Sequence, residues 1–291
     1  MPNEIPEVLP QIHIPGVSDN AQGVRTNVHH VFILDASGSM RSLRGQTITG
    51  FNEQVQNIRQ LEQQLPSQRN LVTLVVFYGR TEVRFFDSES DSLQEITEAD
   101  YNPNGSTRLY GSVGETVSRL KASLGERCSQ ERVLITIMTD GENTDHDATW
   151  GQTATAEYLQ QVQKDHNWVV TFIGANIDVA SAAAALNIPV SNTVAYTASE
   201  AGTRRAFAAA SRGRTSYLMR SHGAGGQSMS NEAFYSADLA RGLDLRDGAP
   251  VIDTQAITSA DAAAVSLSVG QLRQLYAASR PPTSPAVPVA P

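Results

Sequence analysis

The chain has 291 residues, 40% of them hydrophobic and 18% charged, with a formal net charge of -8. That acidic balance argues against a nucleic-acid binder, which needs a basic stripe to neutralise phosphates. No apolar run reaches the roughly 18 residues of a membrane span. The single cysteine, Cys128, has no internal disulfide partner, and the N-terminal stretch lacks the basic-then-apolar order of a secretory signal, so a cytoplasmic setting is expected.

Residues 1–24 are proline-rich and aperiodic, which reads as a loose arm. "HHVFIL" (29–34) is a short apolar run closed by a turn signal, the pattern of a buried strand. His29 and His30 are expected at the surface or the sheet edge. Ile48, Phe51, Val55, Ile58, Leu61 and Leu65 recur at spacings of three and four, which predicts an amphipathic helix over 43–65 stopped by Pro66. "LVTLVVFYG" (71–79) and "TEVRFFDS" (81–88) flank Gly79-Arg80 as an antiparallel pair. A helix follows over 106–124, then an almost wholly apolar strand over 132–140. Helix 149–165, strand 168–176, a short Ala-rich helix at 178–188, an edge strand at 193–196 and a helix over 199–219 complete the regular part. Trp150 and Trp168 are expected to pack, and Cys128 to be an ordinary helix-end residue.

Strands apolar on both faces, alternating with helices, indicate an α/β fold: a doubly wound, mainly parallel sheet covered on both sides, with one antiparallel edge strand. Beyond Tyr217 the periodicity decays. "SHGAGGQSMSNEA" (221–233) has linker composition, 234–280 carries scattered apolar patches including Phe234, Leu243 and Leu245, and 281–291 is a proline-rich tail.

Ligand sites in open α/β sheets form at the carboxyl ends of the strands. Asp35, with Ser37 and Ser39, closes the first strand; Asp140 closes a later one; Thr107 lies where a loop enters a helix. Their side chains offer only oxygen. Two carboxylates and three hydroxyls suit a hard cation such as Mg²⁺, with no histidine or cysteine to favour zinc.

"DASGSM", "GSTRLYGSV" and "TDGEN" together resemble the von Willebrand factor type A (VWA) domain with its metal-ion-dependent adhesion site. The family pattern, Asp-x-Ser-x-Ser on one loop, Thr on a second and Asp on a third, is matched by Asp35, Ser37, Ser39, Thr107 and Asp140 in order. Ser106 stands where many relatives have a second glycine. The resemblance covers roughly 28–219 and implies a domain over 25–220, with 221–280 an extension able to pack on it. It implies Mg²⁺, with Mn²⁺ or Ca²⁺ as substitutes, one coordination position left for an Asp or Glu of a protein partner, and an AAA-type ATPase as one such partner. Arg41, Arg44 and Arg108, in the same loops, are expected to meet further acids of the partner.

No enzyme signature competes. A haloacid-dehalogenase-type phosphatase, the main alternative, wants a second acid where Ser37 stands. The P-loop and Gly-x-Ser-x-Gly patterns are absent, and "GAGG" (223–226) lies in the linker-like stretch. The expectation is a binding module, with a self-associating structural protein as a further alternative.

Overall fold

A computed structural model describes residues 25–223, Phe234 and 243–246. The arm (1–24), residues 224–233 of the linker-like stretch, most of 234–280 and the proline-rich tail lie outside the described residues.

The elements run β1 (Thr26–Asp35), α1 (Arg44–Gln64), β2 (Gln68–Phe77), β3 (Thr81–Glu89), α2 (Leu109–Leu124), β4 (Arg132–Thr139), α3 (Gln152–His166), β5 (Val169–Ala175), α4 (Val179–Ala184), β6 (Thr193–Tyr196), α5 (Glu200–Gly223) and β7 (Leu243–Leu245). They form one seven-stranded sheet in the order β3-β2-β1-β4-β5-β6-β7. β3 alone runs antiparallel, against β2; every other pairing is parallel. The order steps outward in both directions from the central β1 and β4, which is the doubly wound arrangement.

Successive side chains of a strand point to opposite faces, so each apolar strand feeds two cores. Phe32 and Leu34 of β1 join Phe51, Val55 and Ile58 of α1 and Phe207 and Leu218 of α5 on one face. Val31 and Ile33 join Val113, Val117 and Leu120 of α2 and Leu159 of α3 on the other. Burial on both faces is why the strands read as continuous apolar runs rather than as alternation. Trp168 is fully buried, its indole N–H donating to the Cys128 carbonyl at 3.0 Å. Trp150 lies flat against α2, where a Cβ on Gly114 would meet its ring at 2.3 Å.

Three expectations need correction. The strand expected at an edge, β6, is flanked by β7, which pairs Val194 with Leu243 and Tyr196 with Leu245. Helix α2 begins at Leu109 rather than 106, which leaves Thr107 in a loop. His29 and His30 are buried, not superficial. His29 spans two carboxylates, with Nδ1 2.6 Å from Asp87 Oδ1 and Nε2 2.6 Å from Glu131 Oε2. Nε2 of His30 meets Asn70 Oδ1 at 2.9 Å, and burial, helped by the charge of Arg214, lowers its pKa to about 3. His29 finds a partner at each ring nitrogen, whereas His30 finds one at Nε2 and its buried Nδ1 has none among the described residues.

Phe234 is buried against Tyr217 of α5, with ring centroids 5.8 Å apart, and its N–H donates to Asn192 Oδ1 at 3.2 Å. Among the described residues no helix is long and apolar enough to cross a membrane.

Candidate metal centre

Three connections meet at the carboxyl end of the sheet. The first leaves β1 at Asp35 and turns into a short 3-10 segment, Gly38–Leu43. The second joins β3 to α2, and the third joins β4 to α3. Backbone hydrogen bonds stitch the first two together: Asn104 N–H donates to Ala36 O at 2.8 Å and Gly38 N–H to Gly105 O at 3.1 Å. Gly105 has φ +72, a left-handed conformation that glycine adopts without strain. The second and third are tied at Thr107, whose N–H donates to Thr144 Oγ1 at 2.9 Å and whose carbonyl accepts from Thr144 N–H at 2.9 Å.

The side chains of the first and third connections form an unbroken polar chain. Asp35 is fully buried. Its Oδ1 accepts from Ser37 N–H at 2.7 Å and its Oδ2 from Thr139 Oγ1 at 2.6 Å. Ser37 Oγ lies 3.0 Å from Ser39 Oγ, and Ser39 Oγ donates to Asp140 Oδ1 at 2.6 Å. Four of the five residues singled out by sequence are therefore in direct contact. The fifth, Thr107, is positioned by its backbone on the adjoining loop, and its hydroxyl enters none of the hydrogen bonds among the described residues. Ser39 is exposed while Asp35 and Ser37 are buried, so the cluster opens to solvent on the Ser39 side.

The electrostatics are those of acids short of a counter-charge. Burial pushes the Asp35 carboxyl up to about 6, against the opposing pull of the Thr139 hydroxyl and the Ser37 N–H; the neighbouring Asp140 charge adds to the rise. Asp140 is likewise raised by burial. No lysine or arginine pairs with either carboxylate among the described residues. A bound divalent cation would relieve both, and the donor set fits one: all oxygen, two carboxylates, three hydroxyls, on loops held at fixed separations. Among the described residues no group of three or more His, Cys, Asp or Glu side chains is placed to hold a metal ion; the candidate site brings two carboxylates together with hydroxyls.

Sequence reasoning missed two supporting side chains, Thr139 and Tyr101. Thr139 holds Asp35 from β4 and also lies 3.0 Å from Gly141 O, so it bridges the two acidic loops. Its signal was visible, a hydroxyl immediately before Asp140 at the end of an apolar strand. The buried Tyr101 hydroxyl donates to the Asp35 carbonyl. Arg108, expected to face a partner, is occupied within the protein. It grips Glu115 through two nitrogens, at 2.7 and 2.9 Å, and also binds Asp147 and Thr81. Arg44 is occupied too, by the Tyr101 and Glu98 carbonyls and the Glu98 carboxylate. Both arginines shape the loops; Arg41 is exposed and stays available at the rim.

The sequence matches no family model and no curated protein. Among solved structures, the pilus adhesin SpaC of Lactobacillus rhamnosus GG matches over 67% of this chain and 30% of its own, at 14% identity and TM-score 0.52. That match is a shared fold. A von Willebrand factor type A protein from Catenulispora acidiphila aligns over 65% of this chain and 43% of its own, at 18% identity and TM-score 0.45. The ArnB paralog VWA2 from Sulfolobus acidocaldarius aligns over 54% and 37%, at 18% identity and TM-score 0.38. This chain spans under half the length of each of these proteins.

Proposed function

We propose that this chain is a metal-dependent protein-interaction domain of the von Willebrand factor type A kind. Asp35, Ser37, Ser39, Thr107 and Asp140 would hold Mg²⁺ or Mn²⁺, and a partner's Asp or Glu carboxylate would complete the site. The observation that carries the reading is the Ser37–Ser39–Asp140 contact, which joins loops 101 residues apart in the chain, with Asp35 locked behind it. When bound, the cation supplies unneutralised positive charge at the exposed rim. The residues do the rest: Thr139 and the Ser37 N–H orient Asp35, Thr144 fixes the Thr107 backbone, and Arg108 anchors the loop that carries Asp147. A partner carboxylate gains most where neighbouring contacts hold it in place, because Mg²⁺ gives up water reluctantly. The exposed Arg41 would make one such contact.

The phosphatase reading is weaker. An aspartyl nucleophile needs an accessible oxygen, and both oxygens of the buried Asp35 are engaged. Cytoplasmic work beside an AAA-type ATPase remains what the family resemblance suggests for the wider role. Titration calorimetry with Mn²⁺ tests the core of the proposal. It should show about one equivalent per chain, with affinity lowered at least tenfold by Ser39→Ala. Unchanged affinity in that variant would remove Ser39 from the site and the proposal with it.

A further inference from the structure

A cavity of about 330 Å³ adjoins the candidate metal loop on the β3 side. Ala36, Tyr78, Arg80, Glu82, Arg84 and Asn104 line it. Ala36 stands between Asp35 and Ser37, and its carbonyl accepts from Asn104 N–H, so the metal loop itself forms one wall.

The charge in this cavity is organised around Glu82. One of its oxygens takes the Tyr78 hydroxyl at 2.6 Å and Arg80; the other takes Arg84. The Tyr78 hydrogen bond, with both arginines, holds the Glu82 carboxyl below its ordinary range, so it stays ionised. Arg80 also lies over the Tyr78 ring, 5.2 Å from the centroid. One carboxylate thus pairs with two guanidiniums, the half-buried Arg84 and the exposed Arg80, which leaves one net positive charge. A guanidinium has five N–H donors, and Glu82 uses only part of those on offer. The Arg84 Nε–H is buried and has no hydrogen-bond partner among the described residues, so the donors left for a ligand are the terminal N–H groups that Glu82 does not take. A guanidinium pair with donors to spare suits a carboxylate, which matches its fork geometry. One surplus positive charge calls for a singly charged group rather than a phosphate dianion.

We propose that this cavity receives a second acidic side chain of the same partner, so that recognition requires two acids, one at the metal and one between Arg80 and Arg84. The proposal rests on the metal-site reading above for the first acid. Two modest contacts on one segment act in series: once the metal holds one carboxylate, the other meets the arginines at high effective concentration. The paired requirement also supplies specificity that a lone metal–carboxylate bond lacks.

Selection of a random phage-displayed peptide library on the full chain in Mg²⁺ tests this. Wild type should enrich peptides with two acids at a recurring spacing. The Arg80→Gln/Arg84→Gln protein, with its melting temperature checked against wild type, should enrich peptides with one obligatory acid. A synthetic copy of the leading peptide then enters a cycle read by fluorescence anisotropy. Replacing its second acid by the amide should weaken binding to wild type about tenfold and to the double variant by less than twofold. Peptides with a single obligatory acid on wild type, or equal losses on both proteins, would overturn the proposal. Binding that survives EDTA but keeps the two-acid cycle would support the cavity and sink the metal-site reading; binding that needs Mg²⁺ without the cycle would do the reverse.

Discussion

Asp35→Asn separates the cost of the site from its use. In metal-free protein the wild-type carboxylate is buried without a cation, its pKa pushed from 3.8 up to about 6. A folded-state pKa above the unfolded one favours folding fully below pH 3.8, and that contribution is lost as pH rises through 6. The gap is about two units, at about 1.4 kcal/mol each, so ionised Asp35 costs about 3 kcal/mol above pH 6. The amide carries no charge, and the site accommodates it. Thr139 Oγ1 lies 2.6 Å from Asp35 Oδ2 and 3.0 Å from Gly141 O, so the hydroxyl can donate to Gly141 and accept from the new amide. In EDTA at pH 8, Asp35→Asn should therefore raise stability by about 3 kcal/mol, roughly 10 °C in Tm for a domain of this size. The advantage should shrink between pH 6 and 4. Denaturant unfolding at several pH values, repeated in excess Mg²⁺, reads all of this. Added Mg²⁺ should stabilise wild type and leave the variant unmoved. A variant less stable than wild type in EDTA at pH 8, or an advantage that ignores pH, would refute the reasoning.

Other perturbations have expected outcomes of different kinds. His30 is held neutral by burial, with a folded pKa of about 3 against 6.5 unfolded; stability is therefore lost as pH falls from 6.5, by about 2 kcal/mol at pH 5. His30→Gln should abolish that part of the slope between pH 8 and 5 in urea titrations, and an unchanged slope would show that the ring is protonated in place. Arg108→Met leaves Glu115 and Asp147 without their guanidinium; it should cost about 2 kcal/mol and speed proteolysis within 141–148, as limited digestion would show. Phe234→Ala should lower stability by about 3 kcal/mol if the segment beyond α5 is part of the folded unit, and a near-silent variant would detach it.

How far the sequence revealed the fold depends on how local the signal is. Val31 to Leu34 and the spacing of Phe51, Val55 and Ile58 reflect the periods of strand and helix, so β1 and α1 were legible from a few neighbours. The five candidate ligands were picked out as a set because Asp35 and Asp140 stand at the ends of apolar strands and Ser37, Ser39 and Thr107 lie in the loops that leave the same edge of the sheet. What escaped depends on distant partners. His29 and His30 are polar by type, and the groups that admit them to the interior, Asp87, Glu131 and Asn70, lie 40 to 102 residues away. Arg108 looked available because Glu115 is about two helix turns beyond it and Asp147 is on another loop. β7 has three residues, too few for a period, and exists only through its pairing with β6.

The central claim is that Asp35, Ser37, Ser39, Thr107 and Asp140 hold one divalent cation with a position open to a partner. The most direct measurement is an anomalous difference map from a crystal of the chain grown with Mn²⁺. The account predicts one strong peak, about 2.1 Å from the Ser37 and Ser39 hydroxyl oxygens, with Asp35 and Asp140 around it and water or a neighbouring carboxylate on the solvent side. A map with no peak between these loops at saturating Mn²⁺, or with its main peak elsewhere, would contradict it.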